Sequence, residues 1–239
     1  MNVLTFPSAV EASQQLARRI KEEVDKSETY HIALSGGVSA VSLYQALSSE
    51  SIDWKKVHFY FAYEFVDGPK KGYNATLAKV HLFDRIPLPP SQIHIIEPTG
   101  ISPEDVAAAY TETLKTFVSF VDGFPRFNMV LLDLYEDGHT LGLYPGDIHL
   151  YDHPSAYHAN GVKNAPESHL VTLGFEALGT AKSLVFYSFG QHMKYVVGNM
   201  INLMPEAKEY PANYVTALYP WTFLYCDEEA MREKSYAIY

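Results

Sequence analysis

The sequence predicts an α/β fold of three layers, a mostly parallel sheet with helices on both faces (Rossmann-like), and three observations carry that prediction. Short β-forming apolar runs alternate along the chain with stretches whose apolar positions recur at helical spacing. Runs such as "FNMVLLDL" (127–134) are apolar throughout instead of alternating, as in a parallel strand buried on both sides. Loops follow directly on the strand ends, at "LSGGVSA", "AYEFVDGPKKGYN", "DLYEDGHTLGLYPG" and "SFGQHMK", where open α/β sheets bind ligands. No repeat, low-complexity tract or linker interrupts the pattern, so one domain over residues 1–239 is expected.

In chain order, "NVLTF" (2–6) is a short strand. The stretch 8–26 is a helix, with Val10, Leu16, Ile20 and Val24 near one face. "HIALSGG" (31–37) runs from a buried strand into glycines, and "AVSLYQALSS" (40–49) resumes helical spacing. "WKKVHFYFAYEFV" (54–66) is one strongly β-forming run, followed by the polar loop "DGPKKGYN" and a helix through "ATLAKVHLF". The Pro-bounded "PLPPSQIHIIEP" holds a short strand. "SPEDVAAAYTETLKTFVSF" (102–120) opens with Ser102, Pro103 and acidic residues, favourable chemistry for a helix start. After the strand "FNMVLLDL", residues 147–168 read as irregular. "LVTLGF" and "SLVFYSF" are strands, a helix spans about 191–203, and "WTFLYCD" is the last strand.

Composition narrows the function classes. The chain is 47% hydrophobic and 19% charged, and its net charge of −10 offers no basic field to nucleic acid or to an anionic membrane. A single cysteine, Cys226, forms no internal disulfide and no thiol zinc site, so a reducing cytoplasm is the expected compartment. Residues 1–30 lack the apolar run of a signal peptide, and no stretch of about 18 apolar residues predicts a membrane span. A small-molecule ligand or substrate is the expected partner, and monomer and dimer both stay open.

Of the strand-end loops, Ser35-Gly36-Gly37 before a helix suits a phosphate, because glycines let backbone N–H groups approach an anion at the positive helix end; it suits an ordinary tight turn equally well. Asp137-Gly138-His139 is more specific. A carboxylate two residues from an imidazole can orient the ring or act beside it as a general acid or base, although Asp-Gly is also a common turn dipeptide. His149, His153 and His158 crowd one segment but follow no zinc-ligand spacing, so no metal site is expected. Ser39 lies outside any Gly-x-Ser-x-Gly elbow.

Taken together, "HIALSGG", "WKKVHFYFAYEFV", the Asn74 loop, "FNMVLLDLYEDGHTLGLYPG", "LVTLGFEAL", "YSFG" and "WTFLYCDEEA" resemble, in order and over nearly the whole chain, the 6-phosphogluconolactonase family, related to glucosamine-6-phosphate isomerases. The resemblance implies hydrolysis of 6-phosphoglucono-δ-lactone in the pentose phosphate pathway without metal or organic cofactor. It also implies a phosphate site of Gly-rich backbone and basic side chains, and a histidine in the Asp-Gly-His loop as general base on water, here His139. Glu64 and Asp137 are the accompanying carboxylates.

The binding loops depart from the family pattern. Ser-Gly-Gly-Ser-Thr becomes Ser35-Gly36-Gly37-Val38-Ser39, Asp-Glu-Arg becomes Tyr63-Glu64-Phe65, and Ser-Asn becomes Tyr73-Asn74. In the histidine loop Asp133 and Tyr135 stand for two glycines, and Leu141, Gly142 and Tyr144 are further substitutes. Leu170 and Met193 replace an arginine and a lysine, so with Phe65 three phosphate-holding cations are absent. Hydrogen bonds to charged groups contribute about 1.5–3 kcal/mol each, so the loss weighs several kcal/mol against phosphate binding. Lys194 lies one position off and Lys70 and Lys71 sit in a neighbouring loop, poor replacements.

Three readings follow. In the first, by divergence or by design, the cleft has become an aromatic and apolar pocket that binds or transforms a small uncharged or aromatic molecule, lined by Gly36, Gly37, Val38, Ser39, Tyr63, Phe65, Tyr73, Asn74, Asp133, Tyr135, Leu141, Tyr144, Leu170 and Met193. In the second, the chain is a divergent lactonase that relies on His139. In the third, it is a catalytically dead scaffold whose filled cleft makes a protein contact.

Overall fold

The structure is a computed structural model that describes residues 1–98, 102–147, 153–163 and 165–231. The elements run β1 (Asn2–Phe6), α1 (Ala9–Asp25), β2 (Tyr30–Leu34), α2 (Val38–Ser49), β3 (Val57–Phe61), β4 (Tyr63–Phe65), α3 (Tyr73–His81), β5 (Ile93–His94), α4 (Pro103–Leu114), β6 (Phe120–Val121), β7 (Phe124–Pro125), β8 (Met129–Leu132), β9 (Tyr157–Val162), β10 (Ala165–Leu173), α5 (Phe175–Leu178), β11 (Leu184–Ser188), α6 (Lys194–Ile201), α7 (Pro211–Leu218), β12 (Phe223–Asp227) and α8 (Glu228–Met231). Seven strands form the central sheet in the order β1-β12-β11-β8-β2-β3-β5, and every pairing in it is parallel. Helices sandwich this sheet in the expected three-layer α/β arrangement.

Strand order explains where a ligand site forms. From β2 the chain moves outward through β3 to β5, then returns to place β8 on the other side of β2. The connections after β2 and β8 therefore leave in opposite directions, opening a crevice at their carboxyl ends. The sheet interior is filled by fully buried Phe59, Phe61, Phe127, Phe186 and Tyr187, each worth roughly 1.5–3 kcal/mol of transfer free energy.

The helix over 8–26 is present, with the Ser8 hydroxyl accepting from the Glu11 N–H at 3.2 Å and Leu16, Ile20 and Val24 buried. Val10, expected on the same face, is exposed. Six residues from Leu16, it lies about 120° round the helix.

Two further expectations are corrected, and one helix is added. The run 54–66 is two strands, because the chain turns out of the sheet at Ala62. Its N–H donates to the Leu34 carbonyl of the parallel sheet while its carbonyl accepts from Leu173 N–H at 2.8 Å, so β4 joins an antiparallel sheet, β4-β10-β9. Much of the described part of the stretch 147–168 is regular, since β9 and β10 form an antiparallel hairpin that includes the expected "LVTLGF" strand. Its polar sequence, "YHANGV" then "APESHLVTL", hid the alternation. The short helix α7 carries little sequence signal, because Pro211 opens it and Pro211, Ala212 and Val215 are its buried residues. No helix among the described residues is long and apolar enough to cross a membrane.

Candidate active site

The loop after β2 is anchored from below. Ser35 Oγ donates to the Leu131 carbonyl at 2.7 Å, and Tyr187 OH donates to the Gly36 carbonyl at 2.9 Å. Gly37, at φ +88°, turns the chain into the amino end of α2. Gly36 is glycine because Asn74 presses on it, a Cβ there falling 1.9 Å from Asn74 Oδ1. Gly36→Ala is therefore expected to displace Asn74 and to destabilise the protein by about 1–3 kcal/mol in urea unfolding.

The loop after β8 closes around a buried carboxylate. Asp133 accepts from Tyr63 OH at 2.7 Å, from Leu141 N–H at 2.9 Å and from Thr140 Oγ at 3.3 Å. Burial raises its pKa, against the pull of these donors and of the nearby His139. The Leu141 bond holds that residue in the left-handed region at φ 55°, where a leucine is uncommon. Gly138, at φ +81°, lies so close to the Tyr210 ring that a Cβ would overlap it at 2.2 Å.

At the tip, His139 Nδ1 and Asp137 Oδ1 are 2.6 Å apart, and the same oxygen accepts the His139 backbone N–H at 3.1 Å. A carboxylate only accepts, so Nδ1 carries a proton, and in the neutral ring Nε2 then keeps its lone pair. Partial burial, which alone would raise the Asp137 pKa, is outweighed by this hydrogen bond and the imidazole's charge, and the carboxyl sits below its usual range. Tyr135 lies parallel to the imidazole with ring centroids 3.9 Å apart, and Tyr144 lies 4.5 Å from it.

The two loops face one another across a cavity of about 360 Å³, of a size that takes a small metabolite. Gly36, Gly37, Val38, Ser39, Asp133, Tyr135, Asp137, His139 and Met193 line it. Leu134, Glu136, Tyr187 and His192 line it too, and sequence reasoning passed over all four. Tyr187 ends an apolar run that signals only a strand, whereas His192, two residues after Gly190 in a strand-end loop, carried a readable signal.

Most of the other candidates sit behind the wall. Glu64, expected as a catalytic carboxylate, is fully buried and accepts from the backbone N–H groups of Phe65, Asn74 and Ala75 at 2.8, 3.1 and 2.7 Å. It caps the start of α3 instead of lining the cavity. Burial pushes its carboxyl up to about 7 despite those donors. Asn74 is buried and donates to the Tyr63 carbonyl at 2.9 Å. Tyr63 reaches the site through Asp133 and through the Tyr135 hydroxyl. Leu170 and Leu141 are fully buried, Leu170 against Gly142 and opposite Phe65 across the β10–β4 pair. Tyr73 is half-exposed.

No lysine or arginine is among the described residues that line the cavity. Lys70 sits over the Phe65 ring, 5.5 Å from its centroid, and Lys194 over Tyr195 at 4.9 Å. Of the crowded histidines, His149 lies outside the described residues and His153 stacks on His158 at 4.4 Å. No group of three or more His, Cys, Asp or Glu among the described residues is placed to hold a metal ion.

Comparison with known proteins agrees with the geometry. The family described as glucosamine-6-phosphate isomerases/6-phosphogluconolactonase matches residues 7–222. A 6-phosphogluconolactonase of Synechocystis sp. is 29% identical over 205 residues, covering 82% of each chain. One from Aggregatibacter actinomycetemcomitans is 26% identical over 97% of this chain and 99% of its own. The crystal structure of devB protein superposes with a TM-score of 0.85 at 25% identity, covering 96% of this chain and 97% of that one.

Proposed function

The chain belongs to the glucosamine-6-phosphate isomerase/6-phosphogluconolactonase family, and on that premise we propose that it hydrolyses a sugar lactone, 6-phosphoglucono-δ-lactone, with His139 as general base. The observation that carries this reading is the 2.6 Å His139–Asp137 pair at the mouth of the cavity. His139 Nε2 takes a proton from water as the water oxygen bonds to the lactone carbonyl carbon. The tetrahedral intermediate then collapses, the bond to the ring oxygen breaks, and that oxygen takes up the proton, leaving a hydroxy acid. Asp137 keeps Nδ1 protonated and steadies the imidazolium. The amino end of α2, entered through Gly37, offers the phosphate backbone N–H groups in place of the absent cations.

A second reading has its own observation. Val38, Leu134, Tyr135, Tyr187 and Met193 give the cavity an apolar and aromatic wall without lysine or arginine among its described residues, which suits a small uncharged or aromatic molecule. The open cavity speaks against a cleft filled by its own tyrosines for a protein contact. The ratio of kcat/KM for 6-phosphoglucono-δ-lactone to that for glucono-δ-lactone separates the first two. Lactone hydrolysis with backbone-held phosphate predicts a ratio above one; a ratio below one, or ligands found only among uncharged aromatics, supports the second.

A further inference from the structure

We propose that Tyr135 is a positioning residue for His139: with Tyr144 it holds the imidazole between two phenol rings and favours the protonated ring formed when the base takes its proton. The proposal deepens the hydrolase reading and rests on it only for the kinetic half of the test. The Tyr135 ring is 10° from parallel with the imidazole at 3.9 Å and fills one face, so Tyr144, at 4.5 Å and 36°, approaches from the other side. The faces of an aromatic ring carry negative quadrupole density, which attracts an imidazolium more strongly than a neutral imidazole. The interaction therefore strengthens as the proton arrives, the requirement for a group that assists catalysis.

The Tyr135 ring is held at both ends. Its hydroxyl lies 3.4 Å from Tyr63 OH, which donates to Asp133 at 2.7 Å. Its own N–H donates to the His139 carbonyl at 3.2 Å, and its carbonyl accepts from Gly138 N–H at 2.9 Å. Asp133, Tyr63, Tyr135 and His139 thus form one chain of contacts from a buried carboxylate to the base. The other titratable groups around the imidazole are Asp137 on Nδ1, and Glu136 and His192 in the same cavity wall.

The test follows the His139 Cε1 proton by NMR across a pH titration of the full chain. Tyr135→Leu keeps bulk but removes the π face, and its titration midpoint is expected about half a unit below wild type. The acid limb of kcat/KM is expected to move with it. Tyr135→Phe keeps the ring and stays near the wild-type midpoint. Equal midpoints in wild type, Tyr135→Leu and Tyr135→Phe overturn the proposal, as does a rise in Tyr135→Leu. If wild type turns over no lactone while the Tyr135→Leu midpoint still falls, the clamp stands and the hydrolase reading fails. Tyr144→Leu removes the second ring from the opposite side and predicts a fall in the same direction, which keeps the test decisive should Tyr135→Leu not fold.

Discussion

His139→Ala is expected to lower kcat/KM for lactone hydrolysis by about 10²–10⁴-fold, the usual contribution of a positioned general base. The variant removes the imidazole held by Asp137, while its neighbours at the cavity keep their own supports: the Asp133 carboxylate retains Tyr63 and Leu141, and the α2 turn retains Ser35 and Tyr187. The loss should therefore appear in kcat with an unchanged circular-dichroism spectrum. Asp137→Asn is expected to fall short of that loss, because an amide still accepts from Nδ1 but no longer stabilises the imidazolium. Since the Asp137 pKa is depressed in the folded protein, its contribution to stability is present above the ordinary carboxylate range and lost only as pH falls through its lowered value.

The largest expected effect on stability is that of Glu64→Ala. Three backbone N–H groups, of Phe65, Asn74 and Ala75, converge on this buried side chain, and truncation leaves them without an acceptor. The expected cost is about 3–5 kcal/mol, against a total of roughly 5–15 kcal/mol for a domain. Glu64→Gln keeps one oxygen for Phe65 and Asn74 but turns an amide N–H toward Ala75, and about 1–3 kcal/mol is expected. The sign with pH follows from burial, which raises the folded pKa from 4.5 to about 7. A raised carboxyl binds its proton more tightly folded than unfolded, so its contribution to stability falls as pH rises from about 4.5 to about 7, then levels off. Urea unfolding on either side of that window should show this slope in the difference between wild type and Glu64→Gln.

Much of the architecture was legible because burial on both faces leaves its mark in composition. Continuous apolar runs announced β2, β8 and β11, and glycine-bearing loops marked their ligand-facing ends. The break at Ala62 was not legible, because "VHFYFAYEF" stays apolar on both sides of it and only the Leu34 and Leu173 backbone bonds divide it between two sheets. The same break explains Glu64. A motif places a residue near a site, but β4 alternates, sending Tyr63 toward Asp133 and Glu64 toward the start of α3. Spacing alone carries no such orientation. It also left open what the bulk of Asp133 and Tyr135 touches: one binds the backbone of its own loop, and the other lies on the imidazole.

The account is tested most directly by following acid release from 6-phosphoglucono-δ-lactone in a pH-stat, with spontaneous hydrolysis subtracted, for wild type and His139→Ala side by side. It predicts turnover by wild type that falls about 10²–10⁴-fold in the variant. A wild-type rate no higher than the spontaneous one, or a variant as fast as wild type, would contradict it.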